Sequence, residues 1–303
     1  MKYTYEEIES LAASNSDLNV SNLDEAYSYC KKLATSHYEN FPVGSVLIPK
    51  HLRKYFYSIY AFSRLCDDIA DENLEIEKSE RYGLLNQIEN NLVLPSSSLQ
   101  TPILKAVVDT TIRTKIETTD LIRLNKAFKQ DIYFHHAETF EELLDYCDYS
   151  ANPVGEMILK LFDNNNAEAV AYSDDICTAL QLVNFWQDIS RDIEKGRCFI
   201  PSDYLEKYHL DCNNLSYNIV NFNVCMNQLY AKTEKLFEKG INLLYLVKNK
   251  RLKFELKLII SSGIRILEKC RISEDKIISK RPALNKVDYI GIILKSLTLW
   301  WKA

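Results

Sequence analysis

Gln181-Leu182-Val183-Asn184-Phe185-Trp186-Gln187-Asp188-Ile189-Ser190-Arg191-Asp192 is the stretch on which the fold turns. With Ile176-Cys177-Thr178-Ala179-Leu180 before it, apolar residues cover nearly the whole circumference of a helix, the pattern of a buried one. Yet Gln181, Asn184, Asp188 and Asp192 recur at intervals of three and four and so form one polar stripe. Such a stripe on a core helix is costly unless its groups share ligands. Carboxylate and amide oxygens suit Mg²⁺, which takes one or two carboxylates and completes its shell with water and phosphate oxygens.

A second stretch has the same character: Tyr57-Ser58-Ile59-Tyr60-Ala61-Phe62-Ser63-Arg64-Leu65-Cys66-Asp67-Asp68-Ile69-Ala70-Asp71-Glu72. Asp67 and Asp71, four apart, share a face, and like charges at that spacing destabilise a helix until a cation joins them. Either cluster alone is equally well a solvated charged face, with Arg191 as local partner of the second. Together, two i,i+4 aspartate pairs on apolar helices are what a helical bundle needs to hold a metal-bound diphosphate. Downstream, Glu194-Lys195-Gly196-Arg197-Cys198-Phe199-Ile200-Pro201 reads as a sharp turn whose Lys195 and Arg197 can reach phosphate oxygens.

The rest of the chain agrees with an all-α fold. Seven Gly and seven Pro in 303 residues leave little turn chemistry for a sheet, and 47% hydrophobic content suffices for one large domain, 1–303. Apolar positions recur at three and four in Leu121, Leu124, Phe128, Ile132 and in Leu252, Leu256, Ile259, Ile260, Gly263, Ile264, Leu267, so eight or more helices are expected. Loops are expected at Leu94–Ser98, Asp163–Asn166 and Cys212–Asn214. Thr139-Phe140-Glu141-Glu142 fits a capping box that starts a helix carrying Tyr146. Asn152-Pro153-Val154-Gly155 should kink that helix, with Gly155 allowing close approach.

Eight cysteines without CxxC spacing, and a start lacking an apolar signal core, point to a reduced, cytoplasmic protein. Basic residues interrupt every long apolar run near the C-terminus, so no spanning helix is expected. The net charge of −5 is uneven: residues 246–303 carry +9 and the remainder −14. That tail includes a basic, aromatic helix over 282–303 ending at Trp300 and Trp301. It is either a solvated face or a peripheral contact with an anionic membrane. Residues 1–20 read as a mobile segment. His135-His136 reads as a surface pair, since adjacent residues diverge on a helix. Nucleic acid is not an expected partner at a pI of about 5.7.

The residues resemble the squalene/phytoene synthase family along nearly the whole chain. The likeness rests on Tyr60-Ala61-Phe62-Ser63-Arg64 running into Asp67–Asp71; on Tyr146-Cys147 with Ala151, Val154 and Gly155; and on Gln181 through Asp188, Asp192, Gly196-Arg197 and Pro201. His37-Tyr38-Glu39-Asn40-Phe41-Pro42, Ser150-Ala151-Asn152-Pro153 and Asn184-Phe185-Trp186-Gln187-Asp188 narrow it to members that turn presqualene diphosphate and water into hydroxysqualene. The resemblance implies a helical isoprenoid-synthase bundle around a central apolar cavity, and a prenyl diphosphate substrate held by three Mg²⁺ ions on Asp67, Asp71, Asn184, Asp188 and Asp192. Arg64, Gln181, Lys195 and Arg197 would bind diphosphate, with Tyr60 and Tyr146 at the reacting centre beside Asp67 and Asp188. Tyr146 also reads as an ordinary helix-face tyrosine. No NADPH is expected in this reading, and neighbouring enzymes of the squalene route are candidate partners.

Three departures stand out. Glu39 replaces a common Lys, Gln187 a common Arg, and Phe199 a common Tyr, each removing a cationic or phenolic contact to phosphate. Those losses fit a site holding one diphosphate rather than two. The rivals are presqualene diphosphate or dehydrosqualene/phytoene synthesis from two prenyl diphosphates, and a non-catalytic membrane-apposed assembly factor of the same fold.

Overall fold

The computed structural model describes residues 22–36, 48–70, 76–94 and 101–297. Asp71, His37, Glu39, the 95–100 loop, the 1–20 segment, Trp300 and Trp301 lie outside them. All regular structure among the described residues is helical. In chain order the helices are α1 (Leu23–Ser36), α2 (Arg53–Ala70), α3 (Lys78–Val93), α4 (Pro102–Arg113), α5 (Thr118–Ile132), α6 (Phe140–Ser150), α7 (Asn152–Leu161), α8 (Ala167–Gln187), α9 (Ile189–Glu194), α10 (Ser202–Lys207), α11 (Ile219–Gly240), α12 (Leu243–Leu246), α13 (Lys250–Ser273) and α14 (Lys286–Leu297), with 3₁₀ turns at Cys212–Asn218 and Glu274–Ile278. The residues group into two compact units: Met1–His135 with Glu156–Asp163, and His136–Gly155 with Asn164–Ala303.

In the first unit α2 is buried nearly all round: Tyr57, Ile59, Ala61, Phe62, Leu65, Cys66, Ile69 and Ala70 are each at most 7% exposed. Its buried acids have cations on neighbouring turns or helices. Asp109 meets Arg113 at 2.7 Å and Asp120 meets Lys160 at 2.7 Å. Asp109 also accepts from the Tyr27 hydroxyl at 2.8 Å. Arg81 of α3 donates to the Ala70 carbonyl at 3.0 Å, satisfying an orphan oxygen at the end of α2 and fixing the helix end that carries the first acidic cluster.

The second unit is built on α8, which packs along α11 and α13. Trp186 is fully buried, and its indole N–H donates to Thr233 Oγ1 at 2.9 Å. Gly263 lets α13 approach closely: a Cβ there would sit 2.6 Å from Leu180 Cδ2 and 2.8 Å from Phe237 Cζ. Gly155 does the same for α7, where a Cβ would run into Ser173 Oγ and Cys177 Sγ, as its position in the motif led us to expect.

Several expectations need correction. Thr139 does cap α6, its Oγ1 accepting from the Glu142 N–H at 3.2 Å, but Glu142 reaches the Glu138 N–H at 2.8 Å instead of the cap residue's own. At Asn152-Pro153 the helix breaks into α6 and α7, with Ala151 leaving the helical region at φ −121°, ψ −47°; Pro153 then sits in the first turn of α7, where a missing N–H costs nothing. The Asn-rich segment at 212–214 is the start of a 3₁₀ turn, whereas Asp163–Asn166 is a loop ending in Asn166, which caps α8 by accepting from the Ala169 N–H at 2.9 Å. The final helix begins at Lys286, because Pro282 lies upstream and Asn285 accepts from Val287 and Asp288 N–H groups, both at 3.0 Å.

Candidate active site

Beyond Phe56 the accessible positions of α2 form one stripe: Tyr60, Ser63 and Arg64 are half-buried and Asp67 is exposed, at helical spacings of three and four. Arg64 folds along its own helix, donating through Nε to Asp68 Oδ2 at 3.1 Å, through Nη2 to Asp68 Oδ1, and through Nη1 to Asp67 Oδ2 at 3.2 Å. The two acids differ in a way the spacing did not reveal. The Asp67 side chain is 56% exposed and available for ligands, while that of Asp68 is 9% exposed and anchors Arg64. Burial raises the Tyr60 phenol above its ordinary pKa, opposed by the Arg64 charge.

The polar stripe on α8 is present as read: Gln181 is half-buried and Asn184 exposed, while Leu182, Val183, Phe185, Trp186 and Gln187 are buried. The helix does not run through. It breaks at Asp188 (φ −97°, ψ 9°) and resumes as α9, with the Asp188 N–H still bonded to Asn184 O and the Asp192 N–H to Asp188 O, both at 2.9 Å. Asp188 and Asp192 therefore keep the one-turn spacing.

The end of α9 explains the phosphate-reaching turn. Gly196 adopts φ +70°, the Arg197 N–H bonds to Asp192 O at 2.8 Å and the Gly196 N–H to Ile193 O at 2.9 Å. This pair is the Schellman closure, which needs a residue without Cβ in the left-handed region. It returns Arg197 toward Asp192 and leaves Lys195 exposed. Burial, then the neighbouring Asp188 charge, pushes the Asp192 carboxyl up to about 6, against the pull of Arg197, Lys195 and Arg191.

Arg281 is the residue that sequence reading missed. It donates through Nε to Asp188 Oδ1 and through Nη2 to Asp188 Oδ2 at 3.2 Å, a bidentate pair; Arg191 lies farther off, at 3.8 Å. Gln187 is buried and holds this arrangement, accepting from Arg281 Nη2 at 3.1 Å and donating to Pro282 O at 2.6 Å. Gln187 thus helps to hold at Asp188 an arginine from 94 positions farther along the chain than itself. No periodic pattern in the sequence marks Arg281.

Aromatic rings adjoin the acids. Phe185 stacks on Phe199 at 3.9 Å between centroids, 9° from parallel, and Tyr146 lies 5.9 Å from Phe185. Phe185, Phe199, Asp192 and Arg197 line one narrow crevice with Ile189 and Ile193. For Mg²⁺ the donor set fits: Asn184, Asp188 and Asp192 are all oxygen ligands on one stripe, and two carboxylates near enough to raise the pKa of one call for a hard divalent cation.

The family model for squalene/phytoene synthase matches residues 34–288. The chain belongs to the squalene/phytoene synthase family. Its relatives in that family include the hydroxysqualene synthase of Zymomonas mobilis subsp. mobilis, 29% identical over 263 residues, covering 84% of this chain and 85% of the relative. The presqualene diphosphate synthase of the same organism is 34% identical over 174 residues, 55% of this chain and 58% of the relative. Squalene synthase HpnC from Alicyclobacillus acidocaldarius superposes with a TM-score of 0.76 at 33% identity, over 83% of this chain and 95% of that one. Family members are enzymes that act on prenyl diphosphates.

The sulfur chemistry departs from expectation. Cys198 and Cys212 are joined as a disulfide, where the lack of CxxC spacing had suggested only free thiols; the pairing depends on the fold returning position 212 to the turn after α9. His136 is half-buried and not a free surface residue, with its Nε2 2.6 Å from Ile200 O.

Proposed function

We propose that the protein is a hydroxysqualene synthase, converting presqualene diphosphate and water into hydroxysqualene and diphosphate. The observation that carries this reading is the crevice in which Asp192 and Arg197 meet the stacked rings of Phe185 and Phe199: groups that favour departure of an anion stand beside aromatic faces that stabilise the cation left behind. The likeness to a hydroxysqualene synthase along 84% of the chain, against 55% for a presqualene diphosphate synthase, favours this branch.

In this reading Asp67, Asp71, Asn184, Asp188 and Asp192 hold Mg²⁺, which when bound supplies positive charge to the diphosphate as it leaves. Arg64, Lys195 and Arg197 bind phosphate oxygens, with Gln181 orienting them. Arg281 holds the Asp188 carboxylate in place through its bidentate pair. Phe185, Phe199 and Tyr146 exclude bulk water while the cation rearranges, and one admitted water bonds to the cation, its proton passing by way of the Tyr146 hydroxyl to the released diphosphate; Tyr60 lines the first cluster. Water capture needs no NADPH.

Val287, Ile290, Ile293 and Leu294 of α14 are all exposed, and no helix among the described residues is long and apolar enough to cross a membrane. We therefore place the protein in the cytoplasm with α14 resting on an anionic membrane surface, beside whichever enzyme supplies its lipid diphosphate. The test of the function is incubation of the purified protein with Mg²⁺ and presqualene diphosphate, with and without NADPH, beside a parallel incubation with farnesyl diphosphate alone. Hydroxysqualene in both arms supports it; a product made only from farnesyl diphosphate makes the chain a condensing enzyme instead.

A further inference from the structure

We propose that His136, Cys198 and Cys212 form a thiophilic metal site that takes Zn²⁺ when the two cysteines are reduced. One ring nitrogen of His136 and the two sulfurs all lie within 4.8 Å of one another. They come from three separate segments: the chain before α6, the turn after α9, and the start of the 3₁₀ turn at Cys212–Asn218. The Cα atoms of Cys198 and Cys212 are 6.3 Å apart. Backbone bonds that do not involve sulfur hold the first two segments side by side, with the Ser202 N–H donating to Ala137 O and the Asp203 N–H to Glu138 O, both at 3.0 Å. The cluster is thus set by the fold itself.

The donor set has the chemistry of zinc. Two thiolates and an imidazole are borderline-soft ligands, and bonds of about 2.3 Å to sulfur and about 2.0 Å to nitrogen in a tetrahedron separate the ligand atoms by roughly 3.4–3.8 Å, a spacing that the two sulfurs, once reduced, reach by moving apart across Cα atoms 6.3 Å apart. His136 Nε2, by giving its proton to the Ile200 carbonyl at 2.6 Å, leaves Nδ1 with its lone pair, the usual way a ligating histidine is oriented by a second partner. His136 and Cys212 are partly exposed, so a water can reach the fourth position.

The disulfide is the oxidised alternative to the metal. Forming it removes two protons and two electrons from the two thiols; an added phosphine, oxidised to its oxide with the oxygen of a water, returns both, and Zn²⁺ binding then releases the thiol protons. Bound zinc would clip the turn carrying Arg197 and Phe199 to the segment leading into α6. It would do so whatever reaction the protein catalyses.

The experiment uses the full chain, reduced with a phosphine, loaded with Zn²⁺, freed of excess metal and assayed by elemental analysis beside a thiol count. We expect one zinc per reduced chain, none per oxidised chain, and two fewer reactive thiols after oxidation. C198S and C212S should each lose the zinc, and H136Q should weaken it at least tenfold. Co²⁺ in place of zinc should give a near-ultraviolet thiolate charge-transfer band that disappears in C198S. Should either serine variant misfold by circular dichroism, the Co²⁺ band in the native reduced chain still decides. A reduced chain that retains no zinc and shows no Co²⁺–thiolate band overturns the proposal, as does zinc retained at full stoichiometry in the C198S/C212S double variant.

Discussion

The two aspartate clusters solve the same electrostatic problem differently. On α2 the counter-charge is local: Asp68 is buried and Arg64, four residues earlier, bonds to it and to Asp67 within a single helix. At the junction of α8 and α9 the counter-charge is remote: Arg281, 93 positions on, grips Asp188, while Asp192 remains penalised by burial and by its neighbour's charge. The first cluster is therefore assembled as soon as its helix forms. The second exists only when the chain near Pro282 has docked, so its metal affinity should report on tertiary packing.

The largest effects should come from removing a ligand charge outright. Asp67→Asn and Asp188→Asn are each expected to reduce release of diphosphate from presqualene diphosphate by at least about 10³-fold, since electrostatic stabilisation of the leaving group is the main lever of such a site. Pyrophosphate release in a coupled assay measures this; near-normal turnover in either variant breaks the symmetry of role assumed for the two clusters. Next come the arginines. Arg281→Ala should lower Mg²⁺-dependent turnover about 10- to 100-fold and weaken folding, because it leaves the partly buried Asp188 carboxylate without its bidentate cation. Arg281→Lys should recover only part, lacking the bidentate fork. Arg64→Ala should cost turnover with less loss of thermal stability; a larger melting-temperature drop for Arg64→Ala than for Arg281→Ala would contradict the local-versus-remote distinction.

That distinction also explains what could be read in advance. The all-helical fold and both polar stripes were legible because each is periodic within one helix: Tyr60, Arg64 and Asp67, or Gln181, Asn184 and Asp188, announce a face through spacing alone. Asp71 and Glu39 lie outside the described residues, so their expected roles keep the status of proposals. What the sequence hid depends on long-range return of the chain. Arg281 at Asp188, the Cys198–Cys212 pair and His136 against Ile200 have no sequence neighbour that predicts them. The break at Asp188 was invisible for another reason: neither proline nor glycine marks it, and its backbone departs from the helix by a single residue.

A pH titration sharpens the comparison further. With the Asp192 carboxyl pushed up to about 6, a proton competes with metal at the second cluster across the pH 5–7 range. Mg²⁺ affinity measured calorimetrically should fall severalfold from pH 7.5 to pH 5.5, with proton release on binding at the lower pH. Asp192→Asn should bind more weakly overall and lose that pH dependence between these values. If wild-type affinity is flat across the range, the cluster does not carry the raised carboxyl.

Glu255 supplies the control, being an acid raised by burial with no second carboxylate and no role in the stripe. It lies on α13, is 7% exposed, and burial alone pushes its carboxyl from 4.5 to about 7. Between those values the folded state holds a proton that the unfolded state has released, so stability falls as pH rises through the window and the full cost is present above it. Glu255→Gln removes the ionisation while keeping the shape. It should therefore stabilise the protein by about 3 kcal/mol at pH 8, following the free energy of a shift of that size, and by almost nothing at pH 4.5; urea unfolding at the two pH values measures both. Added Mg²⁺ should leave the Glu255→Gln difference unchanged while offsetting the penalty at Asp192, because only the latter has an oxygen-donor partner with which to share a cation.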